Sequence, residues 1–434
     1  MLHLRGDTAA DTPILRRMSA VSELLRRRDF AVLFAGQTLS FLGSALVPVA
    51  LAFAVLDLTG SPTALGLVLL GQVLPVLVLV SAGGVLGDRL RRERLLFITS
   101  LVACAAQAFA AALLLTDTAR VWHLFVLQLV LGGAWALTGP AQFGLVGDVA
   151  PRDRLQEANA LISLSRSVAG IAGPVLAGLL VALASPGWAL AVDALTYAGA
   201  AVAFFTIGPT PWPRPAERRR IIGDLVEGWR EFRSRDWLWS GVVYLAFLHL
   251  FVIAPFLVLG PIVAKESLGG AGAWATILTA GAVGSVVAGL LALRLKPRRP
   301  LFASFALYAV MVPQAVFLAA KAPLALIAIA ALLAEGVLSY GSPVWNSVLQ
   351  EKIPRELFSR VHAYDIIGSF ALLPLGFALA GPVAEAIGVD TVLWFSAAWL
   401  LLSTTAIICL PSIRRLRREP LGAVAAVESG SAAS

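Results

Sequence analysis

Long apolar stretches separated by short polar loops make up most of the chain. Each stretch is close to the roughly 20 residues that an α-helix needs to cross the hydrocarbon core of a bilayer. Twelve such spans fall six and six around one longer charged segment, which predicts an all-α membrane protein with two six-helix bundles. In chain order the predicted spans are Phe30–Leu56, Thr63–Leu86, Leu95–Thr116, Val121–Val146, Ala158–Ala184, Gly187–Ile207, Leu238–Pro261, Gly272–Leu293, Leu301–Ala320, Ala322–Leu349, Val361–Ala384 and Val389–Pro411.

The same pattern divides the chain into five regions. They are a polar N-terminal tail (1–29), a first bundle (30–207), a linker (208–236), a second bundle (237–411) and an Ala/Ser/Gly-rich C-terminal tail (412–434) that we expect to be disordered. In the linker, aromatic residues lie three apart among charges, which predicts an amphipathic helix on the membrane surface. Translation from either Met1 or Met18 fits this organisation.

Basic residues indicate the orientation of the spans. Nearly all of the 34 Lys and Arg residues lie in the tails and in loops on one side, whereas the opposite side holds only Arg120, Lys265 and Lys321. An excess of positive charge marks the cytoplasmic side, so both termini are expected inside the plasma (inner) membrane. The net charge of +8 then follows from topology. No soluble aromatic platform accompanies the arginines, so a nucleic-acid partner is not expected.

The two halves carry a weak internal repeat. A shift of 203 residues brings Pro140 onto Pro343 and Asp148 onto Glu351. Correspondences at a common offset are expected of two parallel six-helix halves related by an axis along the membrane normal.

Two segments carry motif-like residues. After the second span, Asp88 lies among arginines and follows Gly84, and a helix N-terminus is one partner that would favour such an anion. An ordinary basic loop explains the arginines but neither the aspartate nor the glycine. In the fifth span, small residues and a proline share one helix face, so this helix is either kinked or closely packed. The residues are Gly170, Gly173, Pro174 and Gly178.

Together these segments resemble the major facilitator superfamily. The loop is similar to the superfamily's motif between its second and third helices, with Arg91 in place of a glycine, and the fifth span is similar to its antiporter motif, with Ala177 in place of a glycine. The entry to the first span, Arg28-Asp29-Phe30, resembles the branch that contains enterobactin exporters and macrolide-efflux proteins.

The resemblance implies a transporter whose central cavity opens alternately to each side. It implies that Asp88 caps the eleventh helix and that Arg89 or Arg92 pairs with Asp148, which closes the cytoplasmic gate. Glu351 is the repeat-related counterpart of Asp148 in that gate. Gln128 stands where proton-coupled drug antiporters carry a buried arginine, so an importer or facilitator stays open as an alternative.

Polar residues within the spans are candidates for the cavity, because charges at bilayer depth usually face one another or water. Glu335 lies near the middle of the tenth span and is the leading candidate for proton coupling; a neutral glutamic acid bonded between helices is the alternative. A lone His249 is more simply explained by a bond to a backbone carbonyl. Arg166 either attracts a carboxylate or anionic substrate or extends to the inner surface. Asp193 and Asp365 are interpreted as helix-end or gating charges. The remaining candidates for the cavity wall are Gln37, Gln128, Trp135, Gln142 and Asn346.

These observations predict a secondary transporter, most simply a proton-coupled exporter of hydrophobic or amphipathic small molecules such as drugs, macrolides or siderophores. An enzyme would need clustered catalytic groups, whereas His249, Glu335 and the other candidates are scattered one to a helix. A lipid scramblase is a further alternative, which would show lipid flux without a driving ion. No cofactor, metal or phosphate-binding loop is predicted. The expected partners are a small-molecule substrate, protons and the lipid bilayer, and a monomer is expected.

Overall fold

Twelve helices long and apolar enough to cross a membrane account for most of the computed structural model, which describes residues 22–87, 91–209, 221–295 and 297–418. The predicted all-α, twelve-span fold is confirmed. The helices are α1 (Arg28–Ser44 and Val47–Thr59), α2 (Pro62–Gly87), α3 (Arg92–Leu115), α4 (Val121–Val149), α5 (Leu155–Leu183), α6 (Pro186–Phe205), α7 (Asp236–Leu268), α8 (Ala271–Arg294), α9 (Pro300–Ala319), α10 (Leu324–Lys352), α11 (Arg355–Phe370 and Leu373–Ile387) and α12 (Val389–Cys409).

Prolines explain where these helices are interrupted. Pro48 and Pro374 lack the N–H that would bond the carbonyl four residues earlier, and α1 and α11 each break just before the proline. Ahead of Pro255, α7 widens into a π-helical turn at His249–Ile253. Glycines separate several helices: Gly60 and Gly388 have φ of 65° and 94°, a conformation that costs glycine little.

The described residues form two compact units. One contains 22–209 with 264–279, and the other contains 221–263 with 280–418. The core of the first unit joins α1, α3, α4 and α6 through Phe30, Leu96, Leu145 and Phe204. The core of the second joins α7, α9, α10 and α12 through residues that include Phe305 and Leu400.

A linker helix, Ile221–Arg233, packs against α11 in the second unit. Trp229 and Phe232 contact the ring of Tyr364 at centroid distances of 5.4 and 6.0 Å. Glu227 also forms an ion pair with Arg360. The linker helix therefore packs against α11 through its aromatic residues, with Phe232 buried and Trp229 47% exposed.

Close helix–helix packing in each unit depends on glycines. A Cβ at Gly132 of α4 would overlap the carbonyl oxygen of Gln72 in α2, and a Cβ at Gly284 of α8 would overlap that of Leu332 in α10. Within a bilayer such contacts replace the hydrophobic effect as the source of helix association.

We expect Gly284→Ala to lower the free energy of unfolding by about 1–3 kcal/mol, because the added methyl group must push α8 away from α10. Gly289→Ala on the same helix is the matched control, since its Cβ would meet only Ser339 Oγ at 3.6 Å. Thermal unfolding midpoints in detergent check the prediction. Equal midpoints for the two variants would contradict it.

Candidate functional site

A cavity of about 420 Å³ lies within the first unit, at a size typical of small-molecule sites. Five helices supply its wall, and most of the polar groups are hydroxyls and amides from Ser40, Ser44, Thr138, Gln142 and Tyr197. Aromatic side chains form much of the remaining surface, namely Phe41, Trp135, Phe143 and Phe204. The cavity therefore combines apolar surface with scattered hydrogen-bonding groups.

A second, smaller cavity of about 70 Å³ shares Gln142, Phe143 and Arg166 with the first. Gln37 and Asn159 add two further amides to its wall. Five residues singled out from the sequence therefore line these two cavities: Gln37, Trp135, Gln142, Arg166 and Gly170.

Arg166 enters this site from α5. Its guanidinium carbon lies 4.6 Å from the centroid of the Phe41 ring, within cation–π range. No ion pair joins it to any acidic residue in the described parts of the chain.

Gln128 lies elsewhere in the first unit. Its side chain is buried where α4 meets Gly71 of α2, and its amide nitrogen has no partner among the described residues. It does not line either cavity described above.

A buried carboxyl group lies beside the cavity wall, and sequence reasoning misinterpreted it. Asp193 of α6 is fully buried, accepts a 2.5 Å hydrogen bond from Gln107 Nε2 of α3, and lies against Gly43 of α1. One turn on, Tyr197 shares a 2.9 Å hydrogen bond with Ser44. Asp193 is therefore part of a polar contact among three helices and not a helix-end charge. The available signal in the sequence was Gln107 itself, an amide in the middle of a largely apolar span.

The second unit holds Glu335 on α10. A Cβ at Gly281 would lie 2.7 Å from Glu335 Cγ, so the glycine makes room for the glutamate. The carboxyl group forms no hydrogen bond or ion pair with the described residues. One turn further, Ser339 donates a 2.9 Å hydrogen bond to the carbonyl of Ser285 on α8.

The other residues of this unit that were singled out from the sequence lie in separate surroundings. His249 Nδ1 lies 2.8 Å from the carbonyl oxygen of Leu245, the backbone contact expected of a lone histidine. Asn346 is half-buried on α10. The next residue towards the N-terminus, Trp345, donates a 3.0 Å hydrogen bond to Asp365, whose other oxygen lies 3.3 Å from His362 Nδ1.

Some of the residues predicted to form the cytoplasmic gate lie among the described residues. Arg92 and Asp148 form an ion pair at 2.7 Å, and Arg92 also donates a 3.2 Å hydrogen bond to the carbonyl of Gly144. Gly144 makes this possible, because a Cβ there would overlap the guanidinium. Asp88 and Arg89 lie outside the described residues. An ion pair of 3.4 Å joins Glu351 to the adjacent Lys352.

The small residues of α5 mark two close helix contacts within the first unit. Gly173 meets Ala45 at the break in α1, and Gly178 meets Ala275 of α8. Pro174 lies between them inside a continuous helix. The motif is therefore a packing surface in this structure.

Twelve helices able to cross a membrane, five of which line a cavity of mixed polarity in the first unit, are the features expected of a membrane transporter. A family model described as transmembrane secretion effector matches residues 19–424. The chain belongs to this family of the major facilitator superfamily.

Named relatives are efflux proteins. Macrolide efflux protein A of Streptococcus pyogenes is 25% identical over 405 residues, covering 90% of this chain and 96% of the relative. Multidrug efflux pump Tap of Mycolicibacterium fortuitum is 26% identical over 416 residues, covering 89% of this chain and 95% of the relative.

Solved transporters share the fold. The nucleoside transporter NupG superimposes with a TM-score of 0.74 at 12% identity, covering 88% of this chain and 99% of that one. A bacterial homologue of the iron transporter ferroportin superimposes with a TM-score of 0.67 at 16% identity, covering 88% of this chain and 98% of that one. At these identities the likeness shows the fold alone.

We expect Asp193→Leu to destabilise the first unit far more than Asp193→Asn. Leucine fills similar volume but leaves the Gln107 amide buried without an acceptor, which costs roughly 1–3 kcal/mol, whereas asparagine keeps an acceptor oxygen. Thermal unfolding in detergent measures the difference. Gln107→Leu combined with Asp193→Leu should recover part of the loss, and no recovery would argue against the contact.

Proposed function

We propose that the protein is a proton-coupled exporter of hydrophobic or amphipathic small molecules, with drugs, macrolides and siderophore-like compounds as the candidate classes. It works by alternating access in the plasma membrane with both termini in the cytoplasm. The single observation that carries this proposal is the cavity of about 420 Å³ lined by aromatic and hydrogen-bonding side chains. The names of the efflux relatives support the outward direction.

Glu335 is the proposed coupling residue. It lies 11 residues after the start of α10, about 17 Å along the helix axis, and its carboxyl group forms no hydrogen bond or ion pair with the described residues. Holding a negative charge at such depth without a partner costs free energy, and binding a proton removes that cost. Gly281 lets α8 approach this side chain closely, because a Cβ there would lie 2.7 Å from Glu335 Cγ.

The proposed gate is the Arg92–Asp148 contact between α3 and α4. The pair is only partly exposed, with side-chain exposures of 33% and 18%, so water screens it less than a fully exposed pair. Such a pair contributes on the order of 1 kcal/mol. A contact of that strength can hold one state and still be broken in each transport cycle.

Proton release from inside-out vesicles tests the coupling. Vesicles with an acid interior and a pH-sensitive dye would receive lipophilic cations, macrolides and siderophore-like compounds. We expect substrate-triggered proton release from the wild type and at least a tenfold smaller release from Glu335→Gln, because the amide cannot carry the proton. Glu356→Gln is the matched control, since Glu356 is an exposed carboxylate in the first turn of α11.

Three results would separate the alternatives. Equal release from wild type and Glu335→Gln would remove Glu335 from the mechanism and keep the exporter. Substrate movement without proton release would favour a facilitator. Neither movement nor release from folded wild-type protein would contradict the proposed export of these compound classes.

A further inference from the structure

Arg166 introduces a positive charge into a site that is otherwise uncharged. Among the described residues that line the cavity of about 420 Å³ and the adjoining cavity of about 70 Å³, it alone carries a formal charge. No acidic side chain in the described parts of the chain forms an ion pair with it. A charge at bilayer depth is expected to have a partner or to face a cavity. Arg166 has the cavity and lacks the partner.

The guanidinium is held at depth and does not extend to the membrane surface. It stacks on Phe41, which lies 13 residues after the start of α1, about 20 Å along the helix axis. Half of a hydrocarbon core is about 15 Å thick, so this position is close to the middle of the bilayer. This placement favours the alternative in which Arg166 faces the cavity over the one in which it extends to the inner surface.

Gln37 supplies a second, independent indication of a ligand. Its side chain is 1% exposed and lines the smaller cavity beside Arg166, yet neither its amide nitrogen nor its amide oxygen has a partner among the described residues. Buried polar groups are hydrogen-bonded in nearly all native structures. An amide left open on both atoms next to an unpaired arginine points to a polar group that binds between them.

We propose that Arg166 and Gln37 form the polar subsite for a negatively charged group, a carboxylate or sulfonate, on an amphipathic substrate. The planar guanidinium can donate two parallel hydrogen bonds to such a group, and the Gln37 amide can donate a third. The aromatic surface of Trp135 and Phe143 then holds the apolar body. This inference rests on the proposed export function, because it identifies the charge of the exported molecule.

Binding of two matched probes tests the subsite. Both carry pyrene on a four-carbon chain, one ending in sulfonate and the other in trimethylammonium, so neither can lose its charge. Full-length protein in phosphatidylcholine nanodiscs would be titrated by fluorescence, with empty nanodiscs as the blank. We expect the wild type to bind the sulfonate at least tenfold more tightly than the ammonium probe.

Variants assign the discrimination to residues. Arg166→Gln should raise the Kd for the sulfonate about tenfold and leave the ammonium probe unchanged or slightly tighter bound. Arg166→Lys should retain part of the preference for the sulfonate probe, because lysine keeps the positive charge but cannot donate two parallel hydrogen bonds. Gln37→Leu should raise the Kd for the sulfonate severalfold. Arg152→Gln is the matched control, since it removes an exposed arginine outside both cavities.

Equal affinity of the wild type for the two probes would overturn the inference, as would an unchanged sulfonate Kd in Arg166→Gln. If Arg166→Gln does not fold, an unchanged sulfonate Kd in Gln37→Leu overturns it. Transport of both probes into inside-out vesicles is measured separately. Sulfonate that binds but is not transported supports the anion subsite and contradicts export of this probe, whereas transport of the ammonium probe alone supports export and overturns the anion subsite.

Discussion

The absence of water from the hydrocarbon core is the constraint on which this structure depends. Every backbone N–H and C=O within the membrane must be bonded by the protein itself, and the α-helix does this within one segment. Apolar surface then adds little to helix association, because lipid is as apolar as leucine, so close backbone contact supplies the attraction. Gly132 against Gln72 and Gly284 against Leu332 serve this role, one in each unit.

The same constraint separates polar residues that support the fold from those that are available for binding. Asp193 and Gln107 satisfy each other between helices, and a helix break at Ala45 fits against Gly173. Arg166, Gln37 and Glu335 show the opposite condition, because no described side chain completes their hydrogen bonds or charges. Removing a polar group from water costs free energy unless another group bonds it. A buried polar group without a bonding partner in one state can therefore be stabilised by a substrate or a proton that binds to it.

Sequence reasoning predicted the fold well because its signals are one-dimensional. The length and hydropathy of each span can be determined from consecutive residues. The backbone hydrogen bond of His249 was expected because a lone histidine in a helix commonly bonds a neighbouring carbonyl group. It misinterpreted Asp193, because the partner that explains this residue, Gln107, is 86 positions away. The cavity wall also includes Thr99 of α3 and Tyr197 of α6, which were not among the residues singled out from the sequence. Such contacts depend on how helices rotate about their axes, which short-range patterns do not determine.

The charge of the substrate also decides how strongly the membrane potential drives transport. With the interior negative, moving one charge across 100 mV is worth about 2.3 kcal/mol. Exchange of one inward proton for one outward monovalent cation moves no net charge, whereas exchange for a neutral molecule moves one and exchange for a monovalent anion moves two. Under the proposed proton exchange, an arginine that selects anions would favour the substrates whose export gains most from the potential. In that arrangement the positive charge of Arg166 would set both which molecule binds and how far it can be concentrated outside.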